Sequence, residues 1–237
     1  MKNTLLRFAT YVILLSLALG SSSLYARDYL IELVLFETKA GRKLEGNGIY
    51  YPKTGESIRL NTETATAAGF LTIEEGLTLT ENASAMASSG RYRVLRHMAW
   101  RQPGLDESSA KAVRITLGAP TKVFLPDNLE PYEKFIPALL SPGVDQTREV
   151  PTFTLNGTIK VRLGRFLHME SLLVFTDTDS GQSFKLSQNR KMRSRELHYI
   201  DNPRFGILTR ILPLDDKILE PEVDNTDTDL QAVDTAQ

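Results

Sequence analysis

The sequence predicts an α+β fold, a mainly antiparallel sheet with one or two short helices, and three observations carry that reading. Arg27 to Phe36 is apolar on both alternating faces except at Glu32, the pattern of a strand buried in the middle of a sheet. The back half repeats strand signals: Ile159, Val161 and Leu163 alternate with Thr158, Lys160 and Arg162, and Phe166–Phe175, Phe184–Leu186 and Phe205–Leu212 follow at short spacing. Helical spacing is confined to one short segment that follows Thr78-Leu79-Thr80-Glu81.

Taken in order, residues 1–26 read as a secretory signal peptide. Lys2 and Arg7 precede the apolar run Phe8–Leu19, which is shorter than the roughly 20 residues a membrane-spanning helix needs, and a cleavage region ends at Ala26. The expected product is soluble, exported, and without an integral membrane segment once the signal is removed. A single domain is expected over 27–214. From Glu37 to Leu77 glycine and polar residues predict loops with little regular structure. Thr78 and Glu81 have the form of a capping box, so a short helix runs from there to Gly90. Tyr92–Gln102 reads as a strand with Tyr92, Val94, Met98 and Trp100 on one face, and Ala112–Leu117 as another.

The stretch 118–153 holds six of the eleven prolines, which predicts an irregular loop or insertion with one helical turn near Tyr132–Leu140. Beyond it lies an antiparallel meander, with Gly164 expected as a bulge and Asp177–Gly181 as a hairpin turn. Residues 215–237 carry eight acids and one lysine, the composition of a disordered acidic tail.

Composition narrows the function classes. The formal charge of −1 gives no global pull toward nucleic acid, but from Arg148 to Leu212 eleven Lys or Arg face six Asp or Glu. No cysteine is present, so the fold relies on packing and no lipoprotein attachment residue exists. His97, His168 and His198 lack any paired metal spacing, and no cofactor motif is visible. Ser108-Ser109-Ala110-Lys111, Ser187-Gln188-Asn189 and Lys53-Thr54-Gly55 imitate the triplets of penicillin-recognising serine enzymes, but their order along the chain is wrong for that fold. No catalytic constellation is assigned. Glu196 with Asp201 is the only local carboxylate pair worth weighing for an enzyme.

The candidate binding residues cluster in one stretch: Arg190, Lys191, Arg193 and Arg195, followed by His198 and Tyr199. In an extended chain Lys191, Arg193 and Arg195 share a face, giving a basic stripe on a strand; the same charges would equally protect a sheet edge.

The run from Arg190 through Asp201-Asn202-Pro203 to Leu208 resembles the C-terminal signature of the CsiV family of periplasmic peptidoglycan-binding proteins of gammaproteobacteria. Arg165-Phe166-Leu167-His168, Tyr92–His97 with Trp100-Arg101-Gln102-Pro103, and Ile31–Phe36 are similar to other parts of that family. Asn202 stands where the family usually has histidine, and Lys191 where a second arginine is commoner. The resemblance implies a periplasmic, non-enzymatic protein that binds peptidoglycan and supports a class A penicillin-binding protein through that synthase's outer-membrane lipoprotein activator. Arginine suits the carboxylates of stem peptides, and Tyr or Trp suits sugar faces. A wall hydrolase or transferase, and a periplasmic scaffold that binds protein partners only, remain the alternatives.

Overall fold

The computed structural model describes residues 27–39, 49–50, 52, 55–126, 134–135, 147–177 and 182–214. The expected signal peptide, the acidic tail, Lys53-Thr54 and most of the turn at 177–181 lie outside those residues. In chain order the elements are β1 (Asp28–Thr38), β2 (Ile49–Tyr50), β3 (Ser57–Ile58), α1 (Glu63–Ala67), β4 (Leu71–Ile73), α2 (Thr80–Ser88), β5 (Tyr92–Pro103) and β6 (Ala112–Leu117). They continue with β7 (Thr121–Pro126), β8 (Lys134–Phe135), β9 (Thr147–Thr152), β10 (Leu155–Leu163), β11 (Leu167–Thr176), β12 (Ser183–Met192), β13 (Leu197–Asp201) and β14 (Phe205–Leu214).

Two five-stranded sheets result. Sheet 1 has the order β13-β14-β1-β5-β4 and sheet 2 the order β12-β11-β10-β6-β3, antiparallel throughout except for the short β3–β6 pair. The inner faces pack on each other over one buried cluster: Ile31, Leu33, Leu35, Trp100, Ile207 and Ile211 from sheet 1 meet Val113, Ile115, Ile159, Val161, Met169 and Leu173 from sheet 2. β1 is the central strand of sheet 1, as its two-sided apolar pattern predicts, and its other face carries Val34 and Phe36 into a second cluster with Leu79, Ala83 and Met86 around α2. The layers are therefore sheet 2, sheet 1 and one helix.

Several local expectations are corrected. Residues 37–77 are not mostly loop, since they hold β2, β3, α1 and β4; Thr62 caps α1 by accepting from the Ala65 N–H. The Pro-rich stretch contributes an antiparallel ribbon in which β7 pairs with β9 and Pro151 faces Lys122, a place an edge strand tolerates proline. Within the expected helical turn, the described residues Lys134–Phe135 are instead strand, paired with β2. Gly164-Arg165-Phe166 is the β10–β11 connection rather than a bulge inside a strand, with the Gly164 N–H on the Phe166 carbonyl at 3.0 Å.

β5 does not keep one apolar face either. A register shift opposite Leu35 and Phe36 inserts Leu95, so Tyr92 and Val94 pack outward under α2 while Met98 and Trp100 point into the sandwich.

The capping box is not what starts α2. Glu32, fully buried on β1, reaches across and accepts from the Thr78 N–H at 2.9 Å, the Thr78 hydroxyl at 2.6 Å and the Leu79 N–H at 2.8 Å, with His97 Nε2 at 2.7 Å. A carboxylate from a distant strand thus takes the N-terminal role that the local Thr-x-x-Glu pattern suggested for itself. Burial works to raise the Glu32 carboxyl, but the Thr78 hydroxyl, the Leu79 N–H, His97 and the Thr78 N–H together hold it below the ordinary carboxylate value.

Candidate functional site

β12 is the edge of sheet 2 and β13 the edge of sheet 1, and the four residues Arg193–Glu196 cross between them. The strand therefore ends before the expected stripe is complete. Lys191 lies on β12, Arg193 and Arg195 lie in the crossover, and period-two alternation does not align the three. Arg195 adopts a left-handed backbone, φ 69°, which a residue with a Cβ takes up at a cost, while its N–H donates to the Ile211 carbonyl at 2.8 Å.

Arg190 has an inward role. Its guanidinium donates to the Tyr199 carbonyl at 3.0 Å, Gln188 Nε2 to the Asp201 carbonyl at 3.3 Å, and Asn202 Nδ2 to the Lys185 carbonyl at 3.2 Å. Side chains thus satisfy edge carbonyls of β12 and β13 and close this side of the sandwich. Asn202 also accepts the Arg204 and Phe205 N–H groups at 2.8 and 3.0 Å, so the residue that departs from the family histidine shapes the β13–β14 turn.

Lys191 points the other way and meets an aromatic ring. Its Nζ lies 3.2 Å from the centroid of Phe166, and Arg165 Cζ lies 5.6 Å from the same ring, which is 40 % exposed. Between this ring and the crossover runs a shallow groove of about 360 Å³, bordered by Arg165, Phe166, Met192, Arg193, Ser194 and Glu196. Arg193 Nη1 stands 3.3 Å from Glu196 Oε1, both side chains more than half exposed, and His198 Nε2 lies 3.3 Å from both the N and the O of Arg193. Arg193, Glu196 and His198 are brought together, with Lys191 at the groove's far end.

Tyr199 belongs to a different surface. It stacks on Phe36 at 5.4 Å on the helix side of sheet 1, and its hydroxyl is pushed up by burial, by the charge of Asp201 and by Tyr92. Gly206, opposite Phe36 on β14, makes that packing feasible, because a Cβ there would sit 2.6 Å from Phe36 Cζ. Trp100 is fully buried and donates to Gln102 Oε1 at 2.9 Å, so it is core and meets no sugar. Arg165 and Phe166 were missed by the charge reading; the signal was a cation and an aromatic on the turn closing a clean hairpin.

The groups considered for chemistry stay apart. Glu196 and Asp201 flank the five residues of β13, about 16 Å of extended chain at roughly 3.3 Å per residue, beyond the roughly 5–9.5 Å that glycosidase carboxylates span. Ser108 and Ser109 donate to Asp106, with hydroxyl distances of 2.8 and 2.7 Å, in a surface turn; Ser109 and then Ser108 draw the Asp106 carboxyl down to about 2. His97 is bound to Glu32, His168 faces outward on β11 and His198 touches the crossover. Among the described residues no three His, Asp or Glu side chains gather as metal ligands.

A family model described as "Peptidoglycan-binding protein, CsiV" matches residues 7–214. No curated protein and no solved structure matches the chain.

Proposed function

Because the chain belongs to the CsiV family of peptidoglycan-binding proteins, we propose that it is a non-enzymatic periplasmic protein that grips the cell wall at the β12–β13 crossover. In this reading Lys191, Arg193 and Arg195 meet wall carboxylates, Phe166 and Arg165 offer an apolar plate with a cation beside it to the sugar, and Arg190, His198 and Tyr199 hold the surface in shape. The observation that carries it is the exposed Phe166 ring with Lys191 at 3.2 Å, next to a groove whose rim is mainly cationic. An aromatic face with adjacent cations suits a polymer of acidic amino sugars and acidic peptides. By holding the wall, the protein supports a class A penicillin-binding protein through that synthase's outer-membrane lipoprotein activator.

The test is a sacculus pull-down at two salt concentrations. Retention should fall with salt, since exposed charges are screened over about 8 Å at physiological ionic strength. The R193E/R195E variant and F166A should each lose most retention while circular dichroism stays unchanged. Full retention of both folded variants would move the site elsewhere, and fragments released from the sacculi would turn the reading toward a hydrolase.

A further inference from the structure

On the opposite side of the sandwich the sheets leave a second concavity. β6 is covered by β3 only at Ala112 and Val113, so its segment 114–117 has an open edge. Between that edge and β4–β5 lies a cleft of about 620 Å³, within the roughly 300–1,000 Å³ usual for ligand sites. Its floor is apolar, with Met98, Ile115 and Phe153, and its charged lining consists of Arg59, Arg96 and Arg114. Among the described residues lining it there is no Asp or Glu.

That lack is unusual for this molecule. Arg93, Arg101, Arg162, Arg193 and Arg204 each stand within ion-pair distance of a protein carboxylate. Arg59 and Arg96 have no such pair among the described residues, and the Nε of Arg114 donates to Thr116 Oγ1 at 3.0 Å. Three guanidinium groups converging without a counter-charge raise the local potential and attract anions.

The backbone is built to put them there. Tyr92 and Val94 face outward, and simple alternation would send Arg96 the same way, under α2; the Leu95 bulge instead sets Arg96 opposite Leu35, on the inward phase that looks into the cleft. Arg59 is fixed through its carbonyl, which accepts from Thr62 Oγ1 at 2.8 Å, and Thr72 of β4 donates to Asn61 Oδ1 at 2.5 Å, locking the same loop to sheet 1.

We infer that this cleft is a binding site for a short anionic peptide with small apolar side chains, its carboxylates on Arg59, Arg96 and Arg114 and its methyl groups on the apolar floor. Arginine forks pair with carboxylates in two parallel hydrogen bonds, and the floor rewards alanine-sized groups over long polar ones. In a wall-binding protein the matching ligand is the stem peptide, so this identification rests on the reading above, and it divides the work: sugar at the crossover, peptide at the cleft.

The experiment is calorimetric titration of the protein, as isolated from the producing cell, with a synthetic L-Ala-D-Glu-diaminopimelate peptide and with the same peptide amidated at its carboxylates. The wild type should bind the free acid and not the amide. R59Q/R96Q should bind about tenfold more weakly, as loss of charge-assisted pairs implies, with R91Q as the control that binds normally. Equal binding by R59Q/R96Q and wild type, or no peptide binding by a wild type that still sediments with sacculi, overturns the cleft assignment alone. A wild type that neither sediments with sacculi nor binds the peptide overturns this inference and the wall-binding reading together.

Discussion

The outer faces of the two sheets are made by the same alternation and end in opposite states. On sheet 1 the outward residues of β1, Val34 and Phe36, are covered by α2, and the one acid among them, Glu32, is fully buried with four hydrogen-bond partners. On sheet 2 the outward residues form cross-strand rows, Lys191–His168–Arg162 and Asn189–Glu170–Lys160. There the carboxylate of Glu170 has Arg162 at 3.6 Å and Lys160 at 3.9 Å, loose and partly solvated. A strand pattern supplies a charge; whether an element lies over it decides whether the charge locks the fold or stays available to a ligand.

The sharpest way to break that contrast is to remove Glu32. E32A leaves the Thr78 and Leu79 N–H groups and His97 without their acceptor in a dry site, and should cost about 3–5 kcal/mol of unfolding free energy in urea titration. Since the folded carboxyl lies below its ordinary value, its contribution is present above the unfolded carboxylate range near about 4.3 and disappears as pH falls through the folded value. The wild type should therefore lose stability on acidification with a steeper slope than E32Q. A loss under about 1 kcal/mol for E32A, or parallel acid slopes, would mean the helix does not depend on this acid.

On the facing surface E170Q should change stability by less than about 1 kcal/mol, because partly exposed pairs gain little over solvation. A cost near that of E32A in the same titration would erase the distinction between the two faces.

The same contrast explains what the residues disclosed in advance. β1, β10, β11, β12 and β14 are legible because each carries period-two alternation or a two-sided apolar run whose energetic reason is burial against a sheet. The bulge at Leu95 is not, since inserting one residue changes no composition and only the partner strand reveals it. The helix start was placed correctly but for the wrong reason: Thr78 and Glu81 are local, whereas Glu32 arrives from 46 residues away. At the site, the charge density from Arg190 to Arg195 was legible, but where each charge points was not. The chain leaves one sheet for the other after Met192, turning Arg190 inward to Tyr199 and leaving Arg193 and Arg195 in the crossover. Arg59, Arg96 and Arg114 are 37 and 18 residues apart in sequence and meet only through the fold.

The smallest expected effect bears on the uncovered side of the comparison. Arg195 holds a left-handed backbone at φ 69°, a region where glycine carries no Cβ penalty. In R195G the relief of that strain, about 1 kcal/mol, opposes a similar entropy gain of the unfolded chain, so the midpoint of thermal unfolding should shift by only a few degrees in either direction. Sacculus retention should nevertheless fall measurably, because the exposed guanidinium is gone while the crossover and its N–H bond to Ile211 persist. Retention that is unchanged with stability also unchanged would make Arg195 a turn residue only, and would leave Lys191, Arg193 and the Phe166 ring as the wall contact on this side.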